Sequence, residues 1–284
     1  MVVIDVPLVH PQFFGQAFFQ QPLHAVTALR SLRAYPTHMS HDRIYALPQR
    51  HVGDFTFDDQ VAEVFPDMIA RSVPGYASVL SMIEQLTSRF ALPHTNLYDL
   101  GCSLGAATML IRNQAPSSCT LHAVDSAPAM VMRLRNKLDD PAPLNKGISR
   151  CQVEVHQADV RNFSLCQASF IVLNWTLQFI PAEDRQKLLQ NVAAALLPGG
   201  ALLLSEKICF DQPAQQTLLT DLHHDFKRAH GYSDLEIAQK RTAIENRLTP
   251  ETLAAHTRRL EQVGFQVVAP WFQCFNFVSI LAIK

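Results

Sequence analysis

Four residues, Gly101, Asp125, Asp159 and Asn174, each stand at or just past the end of a short apolar run. Their types suit the holding of a polar small molecule. In Leu97-Tyr-Asp-Leu-Gly-Cys-Ser-Leu-Gly105 a strand over Asn96 to Leu100 is predicted to stop at Gly101, turn through Cys102 and Ser103, and open a helix at Gly105. Gly101 supplies the freedom for a sharp turn, and Gly105 is expected to let the helix pack close to the strand. The first helical N–H groups would then face a ligand above the strand end. Taken alone, this Gly-x-x-x-Gly fits an ordinary turn as well as a cradle. Ser103 occupies the place where a dinucleotide fingerprint has its middle glycine, so close approach of a pyrophosphate is not indicated.

The acids narrow the choice. Asp125 follows the apolar run Thr120 to Val124 and lies 24 positions after Gly101, where a carboxylate can accept from both hydroxyls of a ribose. Asp159 follows the next run and can accept from an adenine amino group while the adjoining backbone N–H donates to the ring. Taken singly it reads equally as a cap or surface carboxylate. A ribose and an adenine without a pyrophosphate point to S-adenosyl-L-methionine rather than to NAD. Asn174, after the fourth run, can donate and accept without titrating, which suits the amino-acid end of that molecule or a second substrate. The Asn-Pro-Pro-aromatic cluster of methyl transfer to an exocyclic nitrogen is absent. Tyr76, on the turn Ser72-Val-Pro-Gly-Tyr76, is either a core plug or a lid residue whose hydroxyl touches ligand. His223-His224-Asp225 and His230 lack metal-ligand spacing, so no metal is expected. Lys240-Arg241 reads as a solvated face unless a carboxylate is gripped by the arginine fork.

The elements that must carry these residues alternate. Strands are predicted at Thr120 to Asp125, Cys151 to Val155, Ser169 to Leu173 and Ala201 to Ser205. Helices run from Gly105 to Arg112, through Met130 and Leu134, and from Ala182 to about Leu197, before a turn at Pro198-Gly199-Gly200. Strand-helix alternation predicts an α/β fold, a mostly parallel sheet with helices on both faces and its site beyond the strands' carboxyl ends. Upstream, Val61, Val64, Phe65, Met68 and Ile69 form one helical stripe, and Val79, Leu80, Ile83, Leu86 and Phe90 form another. Near the end, Thr249-Pro250-Glu251 reads as a helix start with Thr249 as cap, and Gly264 as its stop. Phe265 to Ala269 and Cys274 to Ile283 are predicted as closing antiparallel strands with Pro270-Trp271 between them. The block from about 212 to 248 is an expected insert, a helical cap or a dimerisation arm.

At 284 residues, 48% hydrophobic and 17% charged, the chain suits a compact domain with a large core. A net charge of −1 provides no global attraction to nucleic acid or anionic membrane. Six scattered cysteines without a C-x-x-C pair fit inert thiols in a reducing cytoplasm, and no apolar run is long enough to span a membrane. Residues 1–38 differ, with only Asp5, Arg30 and Arg33 charged and with paired phenylalanines but no sustained period. They are expected to be a poorly ordered extension, or to lie upstream of a true start at Met39, leaving 39–284 as one domain.

Several stretches go beyond the generic pattern: Val61-Ala-Glu-Val-Phe-Pro-Asp-Met68, Arg71-Ser-Val-Pro-Gly-Tyr76, Tyr98-Asp-Leu-Gly-Cys-Ser-Leu-Gly-Ala-Ala-Thr108, Leu202-Leu-Leu-Ser-Glu-Lys207, His223-His-Asp-Phe-Lys-Arg228 and Trp271-Phe-Gln-Cys-Phe-Asn-Phe277. Through them residues 39–284 closely resemble the carboxy-S-adenosyl-L-methionine synthase family of bacterial tRNA wobble-uridine modification. The resemblance implies a Rossmann-like class I methyltransferase fold. It also implies ligand contacts at Tyr76, Gly101, Cys102, Ser103, Asp125, Ser126, Asp159, Val160, Asn174 and Arg241. Ser126 replaces the Asn of the family's usual Asp-Asn pair. The implied reaction converts S-adenosyl-L-methionine and prephenate to carboxy-S-adenosyl-L-methionine, phenylpyruvate and water, with Arg241 holding the new carboxylate. A homodimer that binds little tRNA and passes its product to a separate tRNA carboxymethyltransferase is expected. The competing readings are an ordinary methyltransferase indifferent to prephenate, a non-catalytic adenosyl-binding partner of a tRNA-modifying enzyme, and a nucleic-acid binder with salt-dependent affinity.

Overall fold

A computed structural model of the chain describes residues 40–139, 150–245 and 247–284. The expectations for residues 1–38 lie outside them. Strands β1 (Asn96–Leu100), β2 (Thr120–Asp125), β3 (Gln152–Gln157), β4 (Ala168–Asn174), β5 (Leu196–Cys209), β6 (Glu251–Thr252), β7 (Val267–Cys274) and β8 (Phe277–Ile283) form the sheet, in the order β3-β2-β1-β4-β5-β8-β7 with β6 on β5. The first five pair in parallel, whereas β8 runs antiparallel to both β5 and β7. The strand order reverses at β1, where β2 lies on one side and β4 on the other. That switch point opens a crevice beyond the carboxyl ends of β1 and β4.

Helices cover both faces, as a parallel sheet requires. On one face α2 (Tyr76–Phe90) and α3 (Ala106–Gln114) bury Val79, Ile83, Ala107 and Ile111 against Leu97, Phe170 and Leu203. On the other, α5 (Ala182–Ala195) and α8 (Leu253–Gln262) bury Leu188, Leu189, Val192 and Leu260 against Leu100, Ile171 and Leu202. The helix α1 (Asp59–Ser72) is capped by Asp58, which accepts from the Val61 N–H at 2.9 Å. Helix α4 (Pro128–Asp139) follows β2, and the expected insert is helical, comprising α6 (Pro213–Ala229) and α7 (Asp234–Glu245).

The third strand is shifted to Gln152–Gln157 and the last begins at Phe277 rather than Cys274, and three further differences from expectation each have a local reason. Pro198-Gly199-Gly200 is a bulge inside β5 rather than a turn before it. Pairing with β4 jumps from Ala168↔Leu196 to Phe170↔Ala201, Gly199 takes φ +76°, and its N–H donates to Lys284 O at 2.9 Å. Pro270-Trp271 likewise lies within β7, where the register against β8 shifts between Pro270 and Phe272. The cap of α8 is Thr252, accepting from the Ala255 N–H at 3.1 Å. Thr249 does not cap it, because Glu251 and Thr252 first pair with Ile208 and Cys209 of β5. Glu251 instead binds Arg259 and the fully buried Arg185, whose remaining donors reach Ile180 O and Thr249 O, both at 2.9 Å.

Candidate active site

Gly101, Ser103 and Gly105 all adopt left-handed backbone, with φ of +84°, +50° and +75°. Such an alternation folds the chain back on itself within five residues and is favourable for glycine but not for serine. Ser103 is held there because its N–H donates to Asp125 Oδ2 at 2.8 Å. The other Asp125 oxygen accepts from the Ala127 N–H at 2.9 Å, so this carboxylate ties the first two strand ends together. Burial pushes its pKa up while the N–H groups of Ala127, Ser103 and Ser126 oppose the shift. The turn's N–H groups are less available than expected: those of Gly101 and Cys102 donate to Val124 O, and that of Gly105 to Cys102 O. The close approach at Gly105 is also different, since a Cβ there would meet Leu134 of α4, not the strand, at 2.3 Å. Under the turn, Asp99 is fully buried and accepts from Thr108 Oγ1 at 2.6 Å, with a pKa raised to about 6 by burial. Cys102 is buried, and desolvation pushes the pKa of its thiol up.

Parallel register brings the remaining strand ends to the same rim, with Asp125 opposite Gln157 and Asn174 opposite Ser205. Just past β3, Val160 is buried under the sheet, and Asp159 is clamped by Arg161, which holds its carboxylate below the usual range. Ser126 is exposed at the end of β2. At the end of β4 the Asn174 Oδ1 is buried without a hydrogen-bond partner among the described residues. An orphaned acceptor at a strand end costs about 1–3 kcal/mol and calls for a donor from a ligand. The amino group of a bound S-adenosyl-L-methionine would supply one, and Asp125 stands on the same rim with its two carboxylate oxygens engaged by the Ser103 and Ala127 N–H groups.

Trp175, which the residue pattern did not single out, follows Asn174 with φ +59°. A bulky residue pays about 1–3 kcal/mol for that conformation. It is fixed by its N–H donating to Ser205 O at 2.8 Å and by its ring lying 5.4 Å from that of Tyr76. Tyr76 thus reaches the β4 strand end as a wall of the crevice, and Gly75 before it leaves room for Phe272, which a Cβ would meet at 2.1 Å.

The cap supplies the opposite charge. His223 Nε2–H donates to Ser72 O at 2.8 Å, and the ring is kept neutral, with a pKa near 2, by burial and by Lys227 and Lys207. Lys227 is pushed down to about 7 by burial, then by Lys240 and Lys207, and Lys207 is lowered by burial and Arg241. Lys240 bonds Ser72 Oγ at 3.0 Å and lies 3.7 Å from Asp42, but no acid pairs with Lys207 or Lys227 among the described residues. Arg241 lies on α7 of the cap. It is exposed, in a groove shared with His224 and Arg228, and its charge reaches Lys207 and His224. The sequence showed the basic richness of this block, but only the fold brings Lys207 from β5 beside Lys227 from α6.

Comparison with known proteins agrees with this arrangement. The methyltransferase domain family matches residues 97–200, the segment from β1 through the β5 bulge. Among solved structures, human N-acetylserotonin methyltransferase in complex with its S-adenosyl-L-methionine aligns with a TM-score of 0.52 at 18% identity, over 79% of this chain and 55% of that one. Magnesium protoporphyrin IX methyltransferase from Synechocystis, with S-adenosylhomocysteine bound, gives 0.52 at 14% identity over 76% and 87%. These likenesses establish the fold. Curated relatives are far nearer: the carboxy-S-adenosyl-L-methionine synthase of Photobacterium profundum is 53% identical over 244 residues, 86% of this chain and 98% of its own. That of Vibrio atlanticus is 51% identical over the same shares. With a switch-point crevice at the carboxyl ends of its parallel strands and this degree of identity along nearly the whole length of its relatives, the chain belongs to the carboxy-S-adenosyl-L-methionine synthase family, enzymes of the transferase type.

Proposed function

We propose that the second substrate is prephenate and that the lysine pair Lys207 and Lys227 receives it. The observation that carries this reading is two half-buried lysines, crowded by other cations, with no acid against either among the described residues. Burying cations without counter-charge is costly, and a ligand bearing two carboxylates restores the balance. Prephenate loses carbon dioxide and hydroxide to become phenylpyruvate. Hydroxide takes a proton from the sulfonium methyl group to form water, and the methylene carbon bonds the carbon dioxide, so atoms and charge balance without a protein base. The chain's part is to hold two ligands together and exclude water. Tyr76 and Trp175 wall the crevice, Asn174 orients the amino-acid end, and Arg241 grips the new carboxylate. The product then serves a separate carboxymethyltransferase acting on the wobble uridine of tRNA.

The test is the mass of the small molecule released from purified protein on denaturation, with and without added prephenate. A species heavier than S-adenosyl-L-methionine by one carbon dioxide, appearing only with prephenate and lost in Arg241→Ala, is expected. Unchanged S-adenosyl-L-methionine, or its demethylated form, in both samples overturns the proposal in favour of ordinary methyl transfer.

A further inference from the structure

Away from the crevice, His122 of β2 and Glu154 and His156 of β3 meet on one face of the sheet. Glu154 and His156 are two apart on one strand and so share a face, and register puts His122 directly opposite Glu154. Three donor atoms converge: His122 Nδ1 and His156 Nε2 are 3.1 Å apart, and Glu154 Oε2 lies 3.5 Å from the first and 3.8 Å from the second. Bonds of about 2.0–2.2 Å at tetrahedral angles separate ligands by about 3.3–3.6 Å, so the three atoms already stand near the spacing a metal imposes.

The surroundings favour a cation. The Tyr98 ring stacks on His122 at 4.9 Å and Phe163 lies 4.8 Å from His156, which fixes both imidazole planes. Gln152 Nε2 donates to Glu154 Oε1 at 3.3 Å, leaving Oε2 for the site. The His122 side chain is 16% exposed, whereas those of Glu154 and His156 are 42% and 31% exposed, so entry and a place for water lie on their side.

The geometry points to a binding site for a divalent first-row transition metal, zinc being the reference ion, held by His122, Glu154 and His156. The bound ion staples β3, the terminal strand of the sheet, to β2. Two imidazoles and one carboxylate with an open fourth position match zinc, cobalt and nickel in preference to calcium or magnesium.

The whole protein, freed of metal with chelator, is titrated with zinc by equilibrium dialysis, and with cobalt by visible absorption. One zinc per chain is expected, with tetrahedral cobalt bands and no sulfur-to-cobalt charge transfer. His156→Ala and Glu154→Gln should weaken zinc at least tenfold. With free zinc at 100 times its dissociation constant, β3 amide exchange that proceeds through opening of the site should slow about 100-fold. Zinc-edge X-ray absorption on the unaltered protein reads the donors directly, so the test survives a variant that fails to fold. Sulfur donors, equal zinc affinity in folded His156→Ala, or no uptake at millimolar zinc overturns the assignment.

Discussion

If Lys227 receives a carboxylate, binding must drag a proton with it. Its amine has a pKa near 7 in the ligand-free protein because it is buried close to Lys240 and Lys207. At pH 8 about 0.9 of it is neutral, and at pH 6.5 about 0.25. A bound dianion favours the ammonium form. If the bound pKa rises to 9 or more, about 0.8 of a proton or more enters with the ligand at pH 8, and affinity falls about eightfold between pH 6.5 and pH 8. Calorimetry of prephenate binding to protein loaded with S-adenosylhomocysteine, which has no transferable methyl group, measures this in two buffers of different ionisation enthalpy. Neighbouring titratable groups are Lys207, Lys240, His223 and His224, with Arg241 beyond. Lys240, near 8, is already bonded to Ser72 and close to Asp42. The variant Lys227→Met separates them. It should lose most of the proton uptake and weaken binding at pH 6.5 by about 2–5 kcal/mol, at least 30-fold. Near-zero uptake at pH 8 in the unaltered protein, or uptake unchanged in Lys227→Met, refutes the reasoning.

Two predictions concern stability. Gly105→Ala sets a Cβ against Leu134 at φ +75° and should cost about 2–4 kcal/mol in urea unfolding; a cost under 1 kcal/mol would mean that α4 yields freely. Glu251 is held near pKa 2, against an ordinary 4.5, by Arg259 and Arg185 acting against the effect of burial. A depressed carboxyl stabilises above its unfolded pKa, so its contribution of about 3 kcal/mol is complete above pH 5 and lost as pH falls toward 2. Glu251→Gln should remove that acid dependence and lower stability at pH 7 by at least as much, measured by urea unfolding across pH. Parallel pH curves for the two proteins would count against it.

The strand ends were legible because apolar runs stop abruptly at Gly101, Asp125 and Asn174, and parallel pairing places such stops on one rim. Local chemistry misled where pairing overrode it: Thr249-Pro250 has the makings of a helix start, yet two ladder positions on β5 move the cap to Thr252. The bulges at Gly199 and at Pro270-Trp271 read as turns because proline and glycine signal both. The left-handed Trp175 carries no sequence signal, since its conformation is forced by Ser205 and the packed Tyr76 ring. Asp159 could be placed at its strand end, but not its clamp by Arg161. His122 with Glu154 and His156, and Lys207 with Lys227, depend on neighbours from different elements. Only Glu154-Val-His156, with its spacing of two on a strand, left a trace.

The cap is latched by Asp42, whose carboxylate accepts from Tyr232 OH and lies beside Lys240, while Arg71 stacks over the Tyr232 ring. Asp42 and Tyr232 are 190 positions apart. At synthesis rates of about 5–20 residues per second, Asp42 emerges roughly 10–40 s before its partner exists. The sheet core through β4 can be made and paired in that interval, but the wall bearing Lys227 cannot dock until α7 follows. A nascent chain can therefore own the crevice at β1 and β4 before it owns the cap, and interruption of translation within α6 or α7 would leave the first without the second.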